Sequence, residues 1–339
     1  MNETQLKTTN AIAISKVIMM YLVVFGHAIA GFSGSGWGGI DLHIESLPMK
    51  WVFWWLSTLH TYVFAVASGY LFSLQRYGLG KYRTPRKDLF HRFCKLMIPY
   101  FIVSICWAIP FDLVVKRDGL GTIIRNYVLM VDPSQLWFLV MLFVTWVIFY
   151  FSSDIIVRLP VWSGLLIFML IRIIGIYASQ ILPLGLFSIG NVLRYSLFFY
   201  IGFMMHKKML FRLNTKAIFV LIPVYIALLI LHAKIVNELL SEFILILISV
   251  IGCIVTIKLC TYISRPEKKS SLFQILENNS MGIYLIHQQI LYCSMRILNI
   301  PNIPTILFVV GNVGIGFITS FSLVILIRKN KVGRFILGG

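Results

Sequence analysis

The chain has 339 residues, of which 59% are hydrophobic and only 12% charged, with a mean hydropathy of +0.87. An ordinary soluble domain is about a quarter charged, so this composition excludes a soluble enzyme and indicates a polytopic membrane protein. The net charge of +18 would suggest nucleic acid in a soluble protein. Here basic cytoplasmic loops facing anionic lipid account for it, and no nucleic-acid partner is expected.

In chain order, ten apolar runs are expected to be transmembrane helices: 11–31, 51–73, 95–115, 134–152, 160–179, 187–206, 217–233, 242–261, 279–297 and 304–327. A hydrocarbon core of roughly 30 Å takes about 20 apolar residues of helix. No cleavable signal precedes the first run, which is expected to stay as an anchor. The expected architecture is an all-α polytopic transmembrane helical bundle of about ten spans, one integral-membrane domain over 1–339.

The first run carries only two groups able to do chemistry, Lys16 and His27. A step of eleven residues is close to three whole helical turns, so both side chains share a face, roughly 16 Å apart along the axis. Ionisable groups inside a membrane usually face a bundle interior or a water-filled cavity. Taken singly, Lys16 at the headgroups and His27 in a packed interface would also be satisfied. The pairing on one face favours a functional strip.

The Gly- and Ser-rich loop after this run reads as flexible, with His43 solvated and Trp51, Trp54 and Trp55 at the outer interface. The second run holds His60 and the small residues of FAVASGYLF, a pattern that membrane helix packing favours. The loop that follows is the most basic of the chain, with Arg76, Lys81, Arg83, Arg86, Lys87, Arg92 and Lys95. It is a topology determinant, and Arg92 and Lys95, three apart, also suit a phosphate-binding surface. Pro99 then marks a kink or a helix start in the third run. Arg172 in the fifth run has no evident partner, and Arg194 in the sixth either lines a cavity or reaches outer headgroups. Ser280 and His287, seven apart in the ninth run, share a face. His287 reads as a second cavity histidine or as a packed, hydrogen-bonded one.

Alternating the loops tests the count. With the N-terminus in the cytoplasm, the inner side holds Lys7, the basic loop above, Arg158, Lys207, Lys208, Arg212, Lys216, Lys258, Arg265, Lys268, Lys269, Arg328, Lys329, Lys331 and Arg334. The outer side holds Lys50, Lys116, Arg117, Arg125, Lys234 and Arg296. That excess is what the positive-inside rule asks for, and it places both termini in the cytoplasm. The five cysteines, Cys94, Cys106, Cys253, Cys260 and Cys293, have no CxxC spacing, so neither a disulfide framework nor a metal site is expected.

Six separate stretches, in order along nearly the whole chain, resemble the integral-membrane acyltransferase family 3. They are Lys16 with His27, FAVASGYLF at 64–72, Arg92-x-x-Lys95 leading into Ile98-Pro99-Tyr100, LWFL at 136–139, FFYIG at 198–202 and NSMGIYLIH at 279–287. The resemblance implies a cytoplasmic acyl-CoA donor, usually acetyl-CoA, and a hydroxyl acceptor on a surface glycan or its lipid-linked precursor. It places the family's basic residue and histidine of the first span on Lys16 and His27, and its double-basic motif on Arg92 and Lys95. Lys16 and Lys95 stand where arginine is common, which keeps the charge but loses the bidentate fork. The proline often found after the second-span histidine is missing behind His60.

Acyl transfer from a thioester to a hydroxyl needs a base and an oxyanion stabiliser. His27 suits the base, or alternatively a transient acyl carrier. Lys16 suits an anionic or carbonyl part of the donor, and Arg92 and Lys95 suit the CoA phosphates. A transporter or flippase for glycan precursors is the alternative. All twelve acids fall in loops or at span edges, whereas proton-coupled transport generally uses intramembrane carboxylates, and no internal repeat is evident. A glycan polymerase would need a large outer loop, and a purely structural subunit leaves the Lys16–His27 pairing unexplained. The sequence therefore points to a multi-pass O-acetyltransferase of a bacterial inner (plasma) membrane, acting on surface polysaccharide without a metal.

Overall fold

The computed structural model describes residues 3–34, 40–181, 185–207, 217–264 and 270–338, and among these no strand occurs. The basic residues Lys208, Arg212, Lys216, Arg265, Lys268 and Lys269 lie outside the described residues, as does part of the Gly- and Ser-rich loop. The helices are α1 (Glu3–Ala28), α2 (Leu47–Ser57), α3 (His60–Ser73), α4 (Pro85–Val103), α5 (Trp137–Ile156), α6 (Val161–Ile181), α7 (Ile189–Lys207), α8 (Ile218–His232), α9 (Glu238–Ile263), α10 (Ser271–Leu298), α11 (Thr305–Ile327) and α12 (Lys331–Ile336).

Among the described residues, six stretches are long and apolar enough to cross a membrane: 5–28, 85–116, 134–156, 186–207, 238–263 and 305–327. The chain is thus a multi-pass membrane protein. The other four expected runs are helical, but each departs from a single long apolar helix. The second is broken at Thr58–Leu59 into α2 and α3, α6 and α8 offer shorter apolar stretches, and α10 carries several polar side chains along its length.

Polar caps set several helix starts. Thr84 donates its backbone N–H to Asp88 Oδ2 at 2.8 Å, with Pro85 in the first turn of α4. Asn237 accepts from the Leu240 N–H at 2.9 Å at the head of α9, and Asn330 accepts from Gly333 at the head of α12. Pro99 is not a helix start: α4 begins at Pro85 and runs through it. The ladder loosens beyond, in wide π-type turns at Ser104–Ala108 and Asp112–Lys116 on either side of Pro110.

Two glycines explain two of the sequence motifs. A Cβ on Gly69 of α3 would collide with the Phe199 carbonyl, and one on Gly202 of α7 with the Val66 carbonyl. FAVASGYLF and FFYIG are therefore the two sides of one backbone-to-backbone crossing, as small residues permit in membranes. Around it an aromatic core packs Phe72, Trp146, Phe149, Phe199 and Phe203 with edge-on or tilted rings.

Arg172 has a partner after all. Its guanidinium is wholly buried and donates to Glu242 at 3.0 Å and to the Arg194 carbonyl at 2.9 Å, with the Tyr62 and Phe198 rings beneath it. Glu242 lies in the first turns of α9, far enough along the chain that no local spacing reveals the pair.

Candidate active site

The strip on α1 is realised. Lys16, Met20, Val23 and His27 line one cavity of about 340 Å³, at spacings of four, three and four residues that keep to a single helix face. Arg92 and Lys95 enter the same cavity from α4, His60 and Ser68 from α3, Trp146 from α5, and Ser280 and Tyr284 from α10. All four residues singled out in the sequence thus meet around one space. Arg194 does not join them. It lines a separate groove between α6, α7 and α9, beside Glu238 and Glu242.

The mouth at Arg92 is shaped by the loop before α4. Tyr82 sits in the left-handed region at φ 61°, uncommon for a bulky side chain and a local strain that surrounding contacts must hold. Its ring packs edge-on to Trp146 at 5.1 Å and against Phe72 at 5.6 Å. Burial raises the Tyr82 phenol above its usual range, the neighbouring Arg92 charge opposing, so it stays a donor and bonds Gln75. The Arg92 guanidinium stands 5.7 Å from the Trp146 ring centre, and its Nε is buried without a hydrogen-bond partner. A buried, unsatisfied guanidinium N–H in a cavity wall suits an anionic ligand. Lys95, one turn on, is exposed at the same mouth.

A second cavity of about 330 Å³ shares His27, Gln135 and Trp137 with the first. Its remaining lining is polar, with Asp112, Lys116, Asp118, Asn126, Asp132 and Gln288. Asp112 is buried, accepts from the Tyr127 hydroxyl at 2.6 Å and pairs with Lys116 at 2.8 Å. Arg92 and Asp112 are twenty residues apart along α4 and its extension, about 30 Å of helix rise and close to a hydrocarbon thickness. The two cavities therefore open toward opposite ends of the bundle, one rimmed by cations and one rich in carboxylates. His27 stands in the wall between them.

That wall is built from α10 and the start of α5. His27 Nδ1 lies 2.8 Å from His287 Nε2, and His287 Nδ1 lies 2.8 Å and 3.1 Å from the Tyr284 and Ile283 carbonyls. Gln135 donates to the Leu285 carbonyl at 2.8 Å and to Gln289 at 2.9 Å, and Trp107 donates to Gln289 and the Ile286 carbonyl. Four successive carbonyls of α10, those of residues 283–286, thus accept from His287, Gln135 and Trp107 in this wall. His287 is buried and packed rather than cavity-lining. His60, without an assigned role in the sequence, faces the same cavity as His27, its Nδ1–H donated to the Leu56 carbonyl at 2.5 Å. Gln135 carried no sequence signal. Among the described residues no group of three or more His, Cys, Asp or Glu is placed to hold a metal.

The fold and site together are a multi-pass helical bundle with a cation-rimmed cavity reaching a half-buried histidine. The acyltransferase domain family model matches residues 10–327, and the chain belongs to acyltransferase family 3, a family of integral-membrane O-acyltransferases. No curated protein and no solved structure matches it. Membership favours a membrane acyltransferase over the transporter alternative.

Proposed function

We propose that this acyltransferase moves an acyl group, acetyl being the smallest that fits the role, from cytoplasmic acyl-CoA to a hydroxyl of a surface polysaccharide or its lipid-linked precursor. The observation that carries the reading is the position of His27 between two oppositely rimmed cavities. The donor enters at the basic mouth, where Arg92 and Lys95 hold its phosphates and the thioester arm extends past Lys16. The narrow cavity suits that linear arm, with the nucleotide left at the mouth. Lys16 is too far along α1 from His27 to stabilise an oxyanion beside it, so its role is donor binding. The acceptor approaches through the second cavity, where carboxylates, amides and the Trp137 ring offer partners for sugar hydroxyls.

In the step itself, His27 takes the acceptor hydroxyl proton as the oxygen attacks the thioester carbonyl. The C–S bond breaks, the ester forms, and the proton passes from His27 to the leaving thiolate. The charge distribution supports a topology with both termini in the cytoplasm and about ten crossings, and a bacterial inner membrane suits this arrangement.

The test is transfer of radiolabelled acetyl from acetyl-CoA to surface glycan in membranes holding equal amounts of wild type or His27→Ala. Labelling by wild type and its loss in the variant is the expected result. Equal labelling by both removes His27 from the reaction. Absence of labelling where a control enzyme works removes acetyl-CoA as donor.

A further inference from the structure

His27 does not stand alone. Its ring and that of His287 are 7° from parallel with centroids 5.0 Å apart, while Nδ1 and Nε2 approach to 2.8 Å. The centroid separation is about the N–N distance plus the two ring radii, so the rings lie edge to edge in nearly one plane. That is the arrangement of a straight N–H···N hydrogen bond, not of a face-to-face stack.

The protons on this bond can be assigned from the far side of His287. Its Nδ1 faces the Tyr284 and Ile283 carbonyl oxygens, which only accept, so that nitrogen carries hydrogen. His287 has no exposed surface, and its other hydrogen-bond and ring contacts among the described residues are His27 and the Tyr284 ring. No carboxylate among these contacts would offset a charge, and burying an uncompensated imidazolium is costly. A neutral His287 protonated on Nδ1 presents a lone pair on Nε2. The short contact is then a hydrogen bond donated by His27 Nδ1–H, which leaves Nε2 as the basic nitrogen of His27.

We infer that His287 is a positioning residue: it fixes the tautomer and ring plane of His27, so that His27 Nε2 is the base. The inference rests on the acyl-transfer reading for its catalytic consequence but not for the tautomer. When Nε2 takes the acceptor's proton, His27 becomes an imidazolium whose Nδ1–H bond to His287 turns into a charge-assisted one, which favours the charged form as it develops. The proton then leaves from the same Nε2 to the thiolate, and His287 stays neutral throughout. Without the partner, the two neutral tautomers of His27 compete, and only one can accept at Nε2.

Two variants separate this from a structural role. His287→Gln keeps an acceptor oxygen near the position of Nε2, whereas His287→Leu removes it at similar bulk. The first readout needs no turnover: nitrogen NMR of protein labelled with ¹⁵N-histidine, in lipid nanodiscs, with His27 assigned by the signal lost in His27→Gln. Wild type and His287→Gln should show His27 protonated on Nδ1, and His287→Leu a mixture of both tautomers. The second readout is labelled acetyl transfer. His287→Leu should lose roughly 100-fold in kcat, the scale of a displaced general base, with the acetyl-CoA KM within about twofold. His287→Gln should recover most of that loss. Finding wild-type His27 protonated on Nε2 overturns the inference, and so does a kcat in His287→Leu within about twofold of wild type. If His27→Ala itself transfers acetyl normally, His27 is removed from the reaction while acetyl transfer stands, and the NMR tautomer alone then decides the structural inference.

Discussion

Arg172 and Glu242 meet at 3.0 Å, with the arginine wholly buried and the glutamate side chain 28% exposed. The pair ties α6 to α9, and the further bond to the Arg194 carbonyl draws α7 into the same joint. Removing one member of a buried pair leaves an uncompensated charge, at a cost of about 3 kcal/mol or more. Glu242→Leu should therefore lower the thermal midpoint in detergent markedly, and adding Arg172→Met should restore a good part of it. Equal midpoints for wild type and Glu242→Leu would show that the pair contributes nothing.

The α3–α7 crossing admits no side chain at Gly69. Gly69→Val should prevent the two backbones from reaching contact, at a cost above the roughly 1–3 kcal/mol of ordinary overpacking. Gly314 of α11 has open space around it, so Gly314→Ala should be neutral or stabilising by up to about 1 kcal/mol through helix propensity. Yield of monodisperse protein after size-exclusion chromatography compares the two directly.

Donor binding is expected to fail selectively at the basic mouth. Arg92→Gln should raise the KM for acetyl-CoA by roughly 10- to 100-fold, the value of about 1.5–3 kcal/mol for hydrogen bonds to a charged group. Its kcat should change much less. Arg92→Lys should recover only part, because the planar fork is lost. Initial rates against donor concentration check both, and an unchanged KM in Arg92→Gln would place the phosphates elsewhere.

At the opposite end, Asp118→Asn and Asp132→Asn should raise the acceptor KM by roughly 3- to 10-fold, the effect of weakening a single charge-assisted hydrogen bond. The KM for acetyl-CoA should stay as in wild type. A change in the donor KM instead would mean that both substrates use one mouth.

The shared face of Lys16 and His27, the basic approach to α4 and the small-residue motifs were all legible in the sequence. Each depends on periodicity or composition within one segment, and a helix of known pitch converts spacing directly into direction. The same arithmetic put Ser280 and His287 on one face of α10, yet only Ser280 lines the cavity. On sequence alone Pro99 is compatible with a helix start, because the turns from Pro85 onward are too polar to read as a span; the helix in fact begins at Pro85. What the tertiary structure alone decided are contacts between segments far apart in the chain. His287 meets His27 across 260 positions and Glu242 meets Arg172 across 70. Gln135 joins the wall because α5 starts against α10. Such pairings are set by the depth at which one helix sits against another, and that depth follows from close packing of many side chains at once. No single segment carries it. Helix pitch therefore fixed which way Lys16 and His27 point, and packing against α10 fixed the hydrogen-bond partner of the histidine.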